Sequence, residues 1–362
     1  MRDIRKLRIS TVFILGVLVV TLGGTSLVIA KNALAGEIAI SEPKDIEKTW
    51  KSYFVKNSVW SHLDSIVSYY ATGQLCSEQV IMGNNGWLFF KAKTDSDPIA
   101  DFEGTNSFSE DEIANCVDGM KKIEAYCDTN NIDYSVLLVP NKENVYFENM
   151  PDSYVHAEES RTDKLASKLV EEGFNVVNCK DALIKAKETN QIYYAYDTHW
   201  NRIGSNTGLK LSLESMGVPV KSAEELTITS SKLKDAGYHY CGKDDLAEMV
   251  GMRGIKFNDD IEYEFDEYPT IDWDEFEKEQ EAGAVSYFHN PDAENKAKLL
   301  LIGDSFRTAL VPGLRHYFTD VYVVHIGYAD SKVIKDIKPN YLLLQYVERY
   351  SYRLLDVEDL LN

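Results

Sequence analysis

The sequence has no surplus of positive charge. Over 362 residues, 38 Lys and Arg face 58 Asp and Glu, a formal net charge of -20. That balance argues against a nucleic-acid partner, because phosphate binding needs a basic footprint. Cysteine is scarce too. Cys76, Cys116, Cys127, Cys179 and Cys241 are odd in number and include no C-x-x-C pair. A zinc knuckle or thioredoxin-like centre is therefore not expected. One or two disulfides would be possible in an exported chain, although buried small hydrophobes are the simpler reading. An H-E-x-x-H motif and internal repeats are also absent. No metal or other cofactor is implied.

Long apolar runs are confined to the start of the chain. Arg2, Arg5, Lys6 and Arg8 precede an uncharged segment from Thr11 to Ala30. Twenty residues at ~1.5 Å each span roughly 30 Å, the hydrocarbon thickness of a bilayer. Positive residues before the span predict a cytoplasmic N-terminus and an exported remainder. Ala33-Leu34-Ala35 offers the alternative of a cleaved signal, leaving a secreted or periplasmic protein. The expected layout is thus a cytoplasmic tail (1–10), an anchor or signal (11–30), a membrane-proximal connector (31–79) and one catalytic domain (80–362). In the connector Leu63, Ile66, Val67 and Tyr70 recur near helical spacing.

From Val80 onward, strand and helix signals alternate, the pattern of an α/β domain. Ser109 and Glu112 form a capping box that predicts a helix start, with Phe108 and Ile113 placed as a hydrophobic staple. Tyr134–Val139, Lys298–Ile302, Val321–His325 and Tyr341–Tyr346 read as strands, and Arg161–Glu172 as a helix. Between Asp259 and Glu281 lie twelve acidic residues interleaved with aromatics, without the Asp/Asn spacing and Gly of a calcium loop. A solvated insertion with an aromatic underside is expected there.

Two local patterns could carry chemistry. Leu299–Ile302 is an apolar strand running into Gly303, Asp304 and Ser305, followed by a helix signal. A hydroxyl there would stand at the carboxyl end of a buried strand, where open α/β sheets bind ligands. Gly303 would permit a sharp turn, and the following N–H groups could face an oxyanion. Asp-Ser is also common as plain helix capping. The second pattern is Asp197-Thr198-His199-Trp200. In an extended segment, residues two apart project to one side, so Asp197 could fix the His199 tautomer for serine activation. A helix cap at Asp197 and a packed His199 are the alternatives.

Taken together, Asp197-Thr198-His199-Trp200 with Gly204 resembles the D-T-H-W signature of alginate-type polysaccharide O-acetyltransferases, the AlgJ/AlgX and DHHW group. Gly303-Asp304-Ser305-Phe306 is similar to their nucleophile block. Val80–Phe89 is similar to their G-x-x-G-W-L-F segment, and Asp245–Met249 to a D-L-a-x-M block. The resemblance implies an SGNH hydrolase-like three-layer α/β sandwich with a mostly parallel sheet and permuted motif order, preceded by one transmembrane helix. It implies Ser305 as nucleophile, His199 as base and Asp197 as orienter. It also implies a polysaccharide acceptor and a membrane-bound O-acyltransferase that supplies acetyl groups, at the extracytoplasmic face of the cell membrane. The chain ends soon after its last apolar strand, an arrangement more similar to the anchored AlgJ-like type. Asn141 and Arg307 are positions available for an oxyanion hole, though both suit structural roles. Glu348-Arg349 resembles a late E-R pair expected to form a salt bridge, and Trp200 is either a sugar platform or a packing residue. A carbohydrate esterase and a non-catalytic scaffold of an acylation complex are the rival functions.

Overall fold

Alternation along four apolar runs builds the centre of the molecule. In the computed structural model, which describes residues 59–235 and 242–361, these runs become neighbouring parallel strands. The principal elements are α1 (Val59–Thr72), β1 (Val80–Met82), β2 (Leu88–Phe90), α2 (Glu110–Asn130), β3 (Asp133–Val139), α3 (Arg161–Glu171), β4 (Val176–Asn178), α4 (Arg202–Ser215), β5 (Ile228–Lys232), α5 (Asp245–Met249), β6 (Ile261–Phe265), α6 (Trp273–Glu281), β7 (Ser286–His289), β8 (Asn295–Gly303), α7 (Val311–Tyr317), β9 (Phe318–His325) and β10 (Tyr341–Val347). Six strands form one sheet in the order β4-β3-β10-β8-β9-β7. Five run parallel, and β7 closes the edge antiparallel to β9.

Successive residues of a strand point to opposite faces. Leu137, Leu299, Leu301 and Leu343 enter one core with α4 and α7. Val136, Leu300, Ile302 and Leu344 enter the other with α2 and α3. Helices therefore cover both faces, as parallel sheets require. Chain connections leave β3 for β4 in one direction and β8 for β9 in the other. The carboxyl ends of β3, β10 and β8 thus meet where the winding reverses, the usual ligand crevice of such sheets.

The capping box at α2 forms as expected. Ser109 Oγ accepts the Glu112 N–H at 3.2 Å, and the Glu112 carboxylate accepts the Ser109 N–H at 2.7 Å. Helix α1 covers the expected periodic segment. Its Ile66 and Tyr69 pack against a third cluster built from β1, β2 and α5. The expected span Thr11–Ala30 lies outside the described residues. Among those described, no helix is long and apolar enough to cross a membrane. Cys76, Cys116, Cys127 and Cys179 are free thiols, and the last three are buried.

The acidic stretch differs from expectation. Its aromatic underside is present, with Phe265 and Phe276 buried. Asp260 and Glu262, however, are buried rather than solvated. Asp260 accepts the N–H groups of Ala195 and Tyr196, each at 2.8 Å, and Glu262 accepts the Tyr194 hydroxyl at 2.5 Å. Strand β6 turns these acids inward to brace the segment that leads to Asp197.

Candidate active site

The serine stands where the sheet's winding predicts. Strand β8 ends at Gly303, and Ser305 opens a short helical run, Ser305–Leu310. Asp304 ties this turn to the sheet. Its carboxylate accepts the N–H of Phe306 at 2.9 Å, the Gln345 amide at 3.1 Å and the Val347 N–H at 2.6 Å. Asp304 is thus both helix cap and anchor, while Ser305 is left exposed.

Gly303 serves differently from the expected sharp turn. Its φ is not positive. A Cβ there would stand 2.5 Å from Gln345 Oε1 and 3.1 Å from Arg307 Cβ. Glycine is required by this close approach, which lets Gln345 reach Asp304.

Asp197 and His199 also meet by another route than strand alternation. Residues 195–199 form a bend closed by the Tyr193–Trp200 bridge. Asp197 Oδ1 accepts the backbone N–H of His199 at 2.9 Å and its ring Nδ1–H at 2.7 Å. His199 Nε2 then lies 2.8 Å from Ser305 Oγ. Asn201, rather than Asp197, caps α4. Trp200 is fully buried, its indole N–H donating to the Phe306 carbonyl at 3.0 Å, so packing is its role.

The electrostatics follow from this geometry. Burial disfavours a charged Asp197, but the His199 ring and the N–H donors outweigh it and hold the carboxyl at about 2. Burial likewise opposes a charged imidazole at His199, yet the Asp197 charge prevails and moves it above the ordinary histidine range. The serine opens onto a cavity of about 420 Å³ whose wall includes Gln280, Thr308 and His325.

The other marked residues are structural. Asn141 is buried, its N–H donating to Glu348 at 2.8 Å. The Arg307 guanidinium donates to the Asp304 carbonyl and to Gln280. Glu348 and Arg349 take separate partners: Glu348 binds Asn141 and Asn144, and Arg349 lies 3.9 Å from Asp95.

A model of the family described as "SGNH hydrolase-like domain, acetyltransferase AlgX" matches residues 80–324, about two thirds of the chain. The chain belongs to the ALGX family. No curated protein matches it by sequence. Among solved structures, Bacillus cereus PatB1 is similar over 76% of this chain and 100% of its own, at 15% identity and a TM-score of 0.52. A DHHW family protein from Eubacterium siraeum is matched over 67% of this chain and 88% of its own, at 16% identity and a TM-score of 0.49. For the O-acetyltransferase domain of Pseudomonas putida AlgJ the shares are 76% and 92%, at 15% identity and a TM-score of 0.44.

In this ALGX-family domain, sequence reasoning missed three supports of the Asp197–His199 bend. Lys142 is buried at the end of β3, and its Nζ donates to the carbonyls of Tyr194, Ala195 and Asp197 at 3.2, 3.2 and 2.7 Å. Asp260, just before β6, braces the same bend. Asp245 accepts the N–H and hydroxyl of Thr198 at 2.8 and 2.6 Å, and lies 3.8 Å from His199 Nδ1. Burial and the Asp197 charge push the Asp245 carboxyl up to about 6. Asp245 heads a motif quoted from the family, and that was the available signal. Asp197, His199 and Asp245 are close enough to share a cation. Their ligand atoms, however, are already engaged with N–H and O–H donors and with each other, the arrangement of a hydrogen-bonded relay.

Proposed function

We propose that the chain is a serine-dependent O-acetyltransferase that places acetyl groups on hydroxyls of a polysaccharide outside the cytoplasm. Membership of an acetyltransferase family supports the reaction class. The observation that carries the residue assignment is the unbroken chain from Ser305 Oγ to His199 Nε2 at 2.8 Å and from His199 Nδ1 to Asp197 at 2.7 Å. In this reading His199 takes the Ser305 proton as Oγ bonds to the carbonyl carbon of an acetyl ester. The ester C–O bond then breaks, and the departing oxygen receives that proton from His199. A sugar hydroxyl next gives its proton to His199 and attacks the acetyl-serine. Ser305 leaves with its proton restored. Asp197 orients the ring and stabilises its charged form.

The reading extends to partners and place. A membrane-bound O-acyltransferase would supply the acetyl group, and residues 11–30 would anchor the chain with its catalytic domain outside. The exposure of Ser305 also admits water, which would make the protein an esterase.

The test is intact-protein mass after exposing the full chain in detergent to an activated acetyl ester. Gain of one acetyl group mapped to Ser305, and absent in Ser305→Ala, is the expected result. Equal labelling of both proteins refutes the assignment. Added glycans then separate transfer from hydrolysis by the fate of the acetyl group.

A further inference from the structure

A second histidine shares the cavity of Ser305, and the relay does not use it. His325 ends β9, paired in register with Gly303 on β8, two residues before the serine. The Ile326 N–H donates to the Gly303 carbonyl at 2.8 Å, which locks the two strand ends together. The loop then folds back on the imidazole: the Gly327 N–H donates to His325 Nδ1 at 3.0 Å. A Cβ on residue 327 would itself crowd Nδ1 at 3.0 Å and Cε1 at 3.3 Å, so glycine allows this closure.

That hydrogen bond decides the tautomer. A ring nitrogen that accepts carries no proton, so the neutral ring bears its hydrogen on Nε2. Burial and the nearby Arg307 and Arg353 charges outweigh Asp304 and hold the ring neutral, with its pKa down at about 4. The ring lines the cavity of Ser305, and its one hydrogen bond among the described residues is at Nδ1, which leaves Nε2–H for a ligand. A neutral imidazole N–H suits an oxygen that gains negative charge without itself surrendering a proton.

We propose that His325 binds the acyl oxygen in this site, donating from Nε2 to the ester carbonyl as Ser305 attacks. The inference rests on Ser305 being the nucleophile.

Single-turnover acetylation of the full chain by an activated acetyl ester tests it, with His325→Leu, His325→Gln and Ser305→Ala run beside the wild type. Loss of one such donor slows acylation by about 10²-fold in His325→Leu. Gln, which keeps an N–H donor, restores part of the rate, and the pH midpoint of acylation stays unchanged. Leu acylating at the wild-type rate overturns the proposal, as does Gln no faster than Leu at equal Tm. Nitrogen NMR of the wild-type ring needs no substitution: it should show the neutral Nε2–H form at neutral pH, and an Nδ1–H or charged ring overturns the proposal. Wild-type labelling of Ser305→Ala would instead remove the serine assignment itself, a result distinct from any behaviour of the His325 variants.

Discussion

Asp197 holds His199 at two points, accepting its backbone N–H at 2.9 Å and its ring Nδ1–H at 2.7 Å through one oxygen. The other oxygen accepts the N–H groups of Lys243 and Asp245 at 2.8 and 3.0 Å. Four donors converge on one buried carboxylate, so a side-chain amide cannot replace it without turning an NH₂ toward N–H groups. Asp197→Asn is expected to lower kcat for acetyl-ester turnover by roughly 10²–10⁴-fold, with a smaller change in KM. Steady-state kinetics on the folded variant checks this, and a wild-type kcat would contradict the orienting role.

The pH dependence has a defined sign. His199 lies 2.7 Å from Asp197 and 3.8 Å from Asp245, and its pKa is raised despite burial. A base acts when neutral, so acylation should rise with pH to a midpoint above the ordinary value of about 6.5. Asp245→Asn removes one of the raising charges and should move that midpoint down. Profiles of kcat/KM against pH for the two proteins decide it; an upward shift would count against this account.

Gly303→Ala probes the packing beneath the serine. The new methyl would meet Gln345 Oε1 at 2.5 Å and Gln345 Cβ at 3.0 Å in a fully buried contact. Gln345 would have to move, and with it a donor to Asp304. Overpacking of this kind costs about 1–3 kcal/mol. A denaturant midpoint reduced to that extent, with slower Ser305 acetylation, is expected; an unchanged midpoint would show that Gln345 gives way freely.

The sheet and the local motifs were legible because they rest on short-range signals. Tyr134–Val139 is apolar at every buried position of β3 but Ser135, and Ser109 with Glu112 lies three residues apart as its capping box requires. Asp197, His199 and Ser305 could be named from their immediate neighbours. Two supports of the bend, Lys142 and Asp260, could not, because they are remote in sequence and head no motif. Lys142 and Asp260 read as ordinary charged residues until β3 and β6 bring them under residues 194–197. Gly303 was noticed for backbone freedom, whereas its constraint comes from Gln345, forty-two positions away in sequence.

Asp244 extends the pH argument from reactivity to stability. It is fully buried at the start of α5, and burial together with the Asp260 and Asp197 charges pushes its carboxyl up to about 8. An unfolded aspartate titrates near 3.9, so roughly between pH 4 and 8 the folded protein holds a proton that the unfolded chain has released. Stability tied to this group therefore falls as pH rises through that window. Asn carries no such proton, and it tolerates the left-handed backbone that Asp244 adopts at φ 51°. Asp244→Asn is expected to exceed the wild type in stability at pH 8 by on the order of 1–2 kcal/mol, with the gain shrinking toward pH 5. Urea midpoints at the two pH values measure it. A gain independent of pH would mean that folding does not shift the Asp244 carboxyl, and a loss at pH 8 that it is charged in the folded protein and held by its surroundings.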